Sequence, residues 1–386
     1  MIELTGITWD HPRGYAPLQS NAVSAGVHVT WQRRSLKDFG DATLADLARR
    51  FDLIVLDHPH IGEAASGPLR PLDTLLSPSA LAALGTPAAG PSFASYQYGG
   101  HQWALPVDAA CQVASYRPDL LSAADLPRTW EEAHALAAGL RSLGLHMGLA
   151  LCPTDSLCCF LTLAAQAGDA PADDRWIRRE TVLAVLAQLR ALLAACHPGC
   201  LDWNPIALYE HMAAGEPIAY CPLAFGYTNY SRRILEPNRR RLAFTDIPGR
   251  TGALLGGAGI GVSSHGRNPA AAAAYAAWIC GADVQRTDYV IADGQPGHGA
   301  AWHDENADRV TGAFFSGTRA TLDAAYTRPR IPGWPAFQEA LGDTVHAHLR
   351  GTLTAESAAD TLARLHAVHL GNKSGQSVGG NPATLV

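Results

Sequence analysis

The run FDLIVLDHPH, residues 51–60, decides the class of fold. Leu53 to Leu56 is apolar without interruption. A strand with one wet face would alternate, so an unbroken apolar run calls for a parallel sheet covered on both sides. Just upstream, residues 43–50 give a helix pattern, with Thr43 as cap and Leu44, Leu47 and Ala48 on one face. A helix feeding a buried strand is the signature of an α/β unit. The strand ends in Asp57-His58-Pro59-His60, and the carboxyl ends of parallel strands are where open α/β sheets hold ligands.

Working outward, the pattern recurs. LTGITW, residues 4–9, reads as a first strand that stops at a loop carrying Trp9, Asp10, His11, Arg13 and Tyr15, with a helix beyond it. Residues 101–117, HQWALPVDAACQVASYR, read as two short strands joined through Pro106-Val107-Asp108-Ala109. TWEEAHALAAGLRSLG carries a capping box, Thr129 with Glu132, and a stop at Gly144. LHMGLAL reads as a strand with Cys152 to Ser156 as its terminal loop, followed by helices at 179–195 and 206–214. EPIAYCPLAFGYTNYS is an apolar strand that opens into a loop of Phe225, Tyr227, Asn229 and Tyr230. A Gly-rich strand at 255–263 precedes a helix that starts at Asn268-Pro269. Further helices are expected near 283–291, 312–325, 335–349 and 355–369, and the tail from Gly371 has the composition of a flexible end.

Size and composition narrow the function. A chain of 386 residues exceeds what one core usually serves. Apolar residues at 47% and charged residues at 17% fit an ordinary globular protein. The net charge of −6 argues against a nucleic-acid partner, since phosphate binding needs concentrated Lys and Arg, and Arg239-Arg240-Arg241 reads as a short solvated turn. No run reaches the ~18 apolar residues of a membrane span. The start, MIELTGITWDHPRG, has neither the basic opening nor the apolar stretch of a secretory leader; two readings stay open, a cytosolic protein that begins at Met1 or an exported one whose leader has been removed. The eight cysteines form no disulfide ladder and read as free thiols. Cys196-His197-Pro198-Gly199-Cys200 and Cys158-Cys159 lack zinc-site spacing. No metal or cofactor is expected, and the chain is expected to be a monomer.

Five or six stretches in order carry a family resemblance. FDLIVLDHPHIGEAASGPLRPLDTLL, YGGHQWALPVDAACQVASYRPDLL, PRTWEEAHALA, MAAGEPIAYCPLAFGY and GGAGIGVSSHGRNPAAAAAYAAWI together resemble the bacterial extracellular solute-binding proteins of ABC transporters, in the maltose- and carbohydrate-binding branch. The resemblance implies a two-lobed α/β fold of the periplasmic-binding-protein type (type II), with a ligand cleft between the lobes. Lobe one would take 1–109 and 256–320, lobe two 110–255 and 321–370, and 371–386 the flexible tail. The crossings would fall near 107–111, 253–257 and 318–326. The implied function is closure around a small polar solute, a sugar or polyol, for delivery to transporter permease subunits.

From the residues, the candidate contacts of lobe one are Trp9, His11, Arg13, Tyr15, Asp57 and His58, because a carboxylate can accept two hydroxyl hydrogen bonds. Asp108 sits at the hinge, where the resemblance places an acidic contact. Phe225, Tyr227, Asn229, Arg330 and Trp334 complete the set. The resemblance puts Trp334, in RPRIPGWPAFQ (328–338), over the cleft, where an indole face stacks on the C–H face of a sugar; Trp334→Ala is then expected to weaken binding by about tenfold or more and leave the fold intact. Blander roles stand beside these: Asp57 as a helix cap, Arg13 paired with Asp10, Phe225 as core. His298, Trp302, His303 and Asp304 read as a structural turn rather than a metal cluster. The alternative function is a cytosolic enzyme or sensor for a small organic acid, with His11, Asp57, His58 and Cys152 converging; no nucleophile elbow or phosphate loop supports it.

Overall fold

The computed structural model describes residues 1–24, 26–35, 43–232, 238–249 and 251–376, with side chains as far as His369. Its strands are β1 (Ile2–Trp9), β2 (Val23–Ser24), β3 (Val27–Arg34), β4 (Leu53–Leu56), β5 (Gln97–Tyr98), β6 (His101–Gln102), β7 (Ala104–Tyr116), β8 (His146–Met147), β9 (Ile218–Phe225), β10 (Ala243–Thr245) and β11 (Leu255–Val262). β5 and β6 form a small hairpin, and the rest follow the order β2-β3-β1-β4-β11-β7-β9-β8, with β10 on β7. β1 runs parallel to both β3 and β4, as the apolar run predicts. β11 is antiparallel to β4 and to β7.

All four residues of β4 are buried. Leu53 and Val55 point into one apolar cluster with Leu4, Leu105, Ile260 and Tyr275, while Ile54 and Leu56 join another with Ile7, Phe51, Tyr96 and Trp103. The strand is unbroken because both of its faces are covered. A third and larger cluster is built from Cys111, Leu149, Phe160, Leu186, Tyr220 and Leu223, with Trp334 and Leu341 from the last helices.

β7 joins these bodies. Its first part, Ala104 to Cys111, pairs with β11, and its second part, Gln112 to Tyr116, pairs with β9 and β10. Where the sequence reads two strands meeting at Pro106, the structure has one strand of 13 residues. Pro106 lies opposite Gly259, beside a register shift at which Val107 of β7 is left unpaired, and a bulge of that kind absorbs a missing backbone donor. The strand expected over 145–151 is paired only at His146–Met147.

The apolar packing also differs from the expected division at one place. Val290, Trp302, Phe314 and Phe315, within the stretch expected in lobe one, belong to the third cluster. Residues 318–326, expected to cross between lobes, are the end of the helix Phe314–Asp323 and a turn whose Tyr326 pairs with Leu254. It is Gln295 that lies beside the middle of β7, exchanging hydrogen bonds with Ala109. The last helix, Ala355–Gln376, runs past Gly371, and 377–386 lie outside the described residues. Among the described residues, no helix is long and apolar enough to cross a membrane.

Candidate functional site

A cavity of about 460 Å³ opens where β7, β11 and the ends of β4 and β9 meet. Trp9, Arg13, Asp57, Asp108, Phe225 and Tyr227 all line it. They come from both bodies, and each is placed by local structure.

Arg13 is second in the helix Pro12–Ser20, not in a loop: His11 caps the helix by accepting from Arg13 N–H at 3.2 Å, and Pro12 preorganises the first turn. The residue is 4% exposed. Nε donates to Asp108 Oδ2 at 2.7 Å, Nη2 donates to Oδ1, and Nη1 donates to the Gly226 carbonyl at 2.9 Å. The guanidinium lies 4.6 Å from the centre of the Tyr227 ring. One arginine therefore ties the first helix to the middle of β7 and to the loop after β9, using the planar fork that a carboxylate matches. Asp10, its expected surface partner, faces Arg33 instead, at 3.6 Å.

Asp57 both caps and binds. Its Oδ1 accepts from His58 N–H at 2.7 Å, and Oδ2 accepts from Arg328 Nη2 at 2.8 Å. Burial works to raise this carboxyl, but the charge of Arg328 and the bond from His58 hold it well below the usual carboxylate range. Arg328 is 5% exposed, donates from Nη1 to Gln338 Oε1 at 3.1 Å, and has no protein partner for its buried Nε. Arg328 and Gln338 line the cavity, whereas the sequence reading singled out Arg330 and Trp334 from the same stretch.

The helix Pro153–Gln166 adds a third carboxyl. Asp155, its third residue, accepts from the Cys152 thiol at 3.1 Å, and burial pushes it up to about 7. Asp155, Cys152, Thr154 and Cys158 line one wall, and Asn204, Pro205 and Ile206, at the start of the helix Pro205–Ala214, line another. The sequence reading treats 152–156 as a loop and so misses this wall; Pro153, a preferred first helical residue, is the signal that would have found it.

The other expected contacts lie elsewhere. His11 is behind Tyr227, the rings 5.0 Å apart, and burial with the charge of Arg13 lowers its pKa to about 4. His58 is fully buried, its ring 3.0 Å from Asp57 Oδ1 and edge-on to Tyr96, and burial lowers it to about 4. Both rings are neutral at pH 7. Tyr15 lies under the Arg33 guanidinium at 3.5 Å. Asn229, in the short turn Thr228–Tyr230, keeps a buried Oδ1 without a partner but does not line the cavity. Arg330 donates to the carbonyls of Ala94 and Gln97 at 2.7 and 2.8 Å.

Trp334 is 1% exposed and packs edge-on against Phe337, 5.2 Å between ring centres. It opens the helix Trp334–Leu349 after Gly333 turns the chain with a φ of 80°. Its expected place over the cleft gives way to a core role, since a side chain so enclosed has no face to offer a ligand.

The histidine-rich turn is built from caps: His298 accepts from Ala300 N–H and Asp304 from Asn306 and Ala307 N–H. Among the described residues, no group of three or more His, Cys, Asp or Glu stands ready to hold a metal ion.

A family model described as bacterial extracellular solute-binding protein matches residues 22–296. No curated protein sequence matches the chain. Among solved structures, an ABC transporter solute-binding protein from Agrobacterium radiobacter in complex with ribitol is similar at a TM-score of 0.79 and 20% identity, over 95% of this chain and 98% of that one. Maltose-bound MalE3 of T. maritima is similar at 0.78 and 17%, over 95% and 100%. A solute-binding protein from Agrobacterium vitis with bound D-mannitol is similar at 0.74 and 16%, over 97% and 99%. At these identities the likeness is one of fold, and the fold is the two-lobed one with a cleft between its lobes.

Proposed function

The chain belongs to the bacterial extracellular solute-binding proteins, and from that premise we propose that its central cavity takes a sugar or polyol and that the loaded form is presented to the permease subunits of an ABC transporter. The observation that carries the proposal is the wall itself: the rings of Trp9, Phe225 and Tyr227 stand with two carboxylates, Asp57 and Asp108, each bound by a buried arginine. Aromatic faces suit the C–H faces of a sugar ring, and acceptors fixed in place suit its hydroxyls. The similar structures that hold ribitol, maltose and mannitol point the same way.

Three features support binding without chemistry. The acid groups that reach the cavity are paired or capped, His11 and His58 are neutral and do not line it, which leaves His60 as the histidine on its wall, and the thiol of Cys152 is bonded to Asp155 and held protonated by burial, its pKa pushed up to about 12. The arginines that join the bodies, Arg13 to Gly226 and Arg328 to Asp57, lie at the cavity edge. A ligand that touches both sides adds contacts present only when the bodies are together, which is how a guest shifts the population toward closure.

The test is a calorimetric panel of ribitol, mannitol, maltose and small dicarboxylates against the whole protein. Saturable binding of one ligand per chain by a polyol or sugar is expected; binding by the acids alone would replace the reading.

A further inference from the structure

The cavity wall carries three carboxyls but only two arginines, and both arginines are committed: Arg328 bonds Asp57 and Arg13 bonds Asp108. Asp155 is the acid left over. It is 7% exposed and lines the cavity. Its Oδ2 accepts from the Cys152 thiol at 3.1 Å, a weak donor. Among the described residues nothing donates to its Oδ1, and that oxygen keeps surface of its own rather than being sealed in protein. His60, the other titratable group on the wall, faces Glu63 at 3.8 Å.

A neighbouring cation separates Asp57 from Asp155. Burial works to raise both carboxyls. Beside Arg328 and His58, Asp57 is held well below the usual carboxylate range, whereas Asp155, with no cation bonded to it, is pushed up to about 7. The groups that face Asp155 do not change this balance. Its own helix supplies the thiols of Cys152, Cys158 and Cys159, all raised by burial. Across the cavity stand Arg328, tied to Asp57, and Tyr227, whose phenol burial also raises. The helix Trp334–Leu349, packed against Pro153–Gln166, brings His346, which donates from Nδ1 to the Leu151 carbonyl at 2.8 Å. An enclosed carboxyl without a partner is satisfied by a cation brought from outside the chain. The rings of Trp9, Phe225 and Tyr227 line the same space, and aromatic faces attract an ammonium as well as C–H groups.

We propose that Asp155 is the contact for a protonated amino group on the solute, so that the ligand is an amino-substituted sugar or polyol. This narrows the sugar or polyol reading of the cavity, on which it rests. The two arginine-bound carboxylates serve the hydroxyls, and Asp155 selects the charge. An ammonium beside Asp155 does for it what Arg328 does for Asp57, favouring the ionised form. Binding below pH 7 therefore drives a proton off Asp155, and affinity rises with pH until that carboxyl is ionised in the free protein.

The experiment titrates the whole protein by calorimetry with matched pairs that differ by one amino group: glucose with glucosamine, and mannitol and ribitol each with its terminal amine analogue. At pH 7 the amino member of a pair is expected to bind about tenfold or more tighter than the neutral one. In Asp155→Asn the two members should come within a few-fold of each other. At pH 6, titrations of the amino member in buffers of different ionisation heat should show release of about one proton per ligand bound, which a merely structural Asp155 would not give. Neutral members that bind as tightly as their amino partners, or an amino preference that persists in Asp155→Asn, would overturn the inference and leave the sugar or polyol reading standing. If no member of any pair binds, that reading falls and the inference falls with it. Should Asp155→Asn fail to fold, the wild-type protein decides, since amino binding without proton release would overturn the role of Asp155.

Discussion

The contrast between Phe225 and Trp334 shows what placement does to two large aromatic side chains. Phe225 ends β9 and faces the cavity, while Trp334 is enclosed in the core beneath Phe337. Phe225→Ala removes a stacking face and is expected to weaken sugar or polyol binding about tenfold, or ~1.4 kcal/mol, by calorimetry. Trp334→Ala should leave affinity within a few-fold and cost about 3–5 kcal/mol of stability through the void it opens, read by urea unfolding. Asp155 offers a second test. Its folded pKa of about 7 lies above the ordinary carboxyl value, so the folded state holds a proton that the unfolded chain gives up. Stability from this group is present below about pH 4 and is lost as the pH rises toward 7. His11 and His58, both lowered, act in the opposite sense, losing stability as the pH falls from about 6.5 to 4. Asp155→Asn should therefore flatten the decline between pH 4 and 7 and leave the histidine contribution in place; an unchanged profile would show that Asp155 is ionised in the folded protein.

At the scale of elements, the site depends on how closely β11 can approach β7. Gly257 has a φ of 98°, and a Cβ there would stand 2.4 Å from the Asp108 carbonyl. Gly257→Ala is expected to cost at least ~1 kcal/mol in unfolding experiments and to lower affinity by shifting Asp108. The elements were largely readable from the sequence because their signals are local: β4 from its apolar run, the helix after Thr129 from its capping box, the helix Pro269–Ile279 from Asn268-Pro269. The sites of departure have tertiary causes. Pro106 looks like a strand breaker until its pairing with β11 shows a bulge beside it, with Val107 of β7 as the extra residue. Asp57 was legible as a polar residue ending a buried strand, and Arg13 as a charge in an aromatic stretch. Their partners were not, since Asp57 and Arg328 are 271 residues apart and Arg13 and Asp108 are 95 apart. In RPRIPGWPAFQ the tryptophan draws attention by its size, but only the packing of the last helices shows that Arg328 and Gln338 reach the cavity.

For the whole molecule, the arrangement of one long strand shared by two separately packed bodies gives binding a mechanical reading. β7 pairs with β11 on one side and β9 on the other, the cavity sits at the change of partner, and two buried arginines reach across it. A ligand held there rewards the closed arrangement over the open one by the contacts it gains from the second wall. Small-angle X-ray scattering of the wild-type protein, with and without a saturating sugar or polyol, measures this directly. The radius of gyration is expected to fall on binding, and the Phe225→Ala protein at the same ligand concentration should show a smaller fall. A saturating ligand that binds in the calorimeter yet leaves the scattering curve unchanged would contradict closure around a guest.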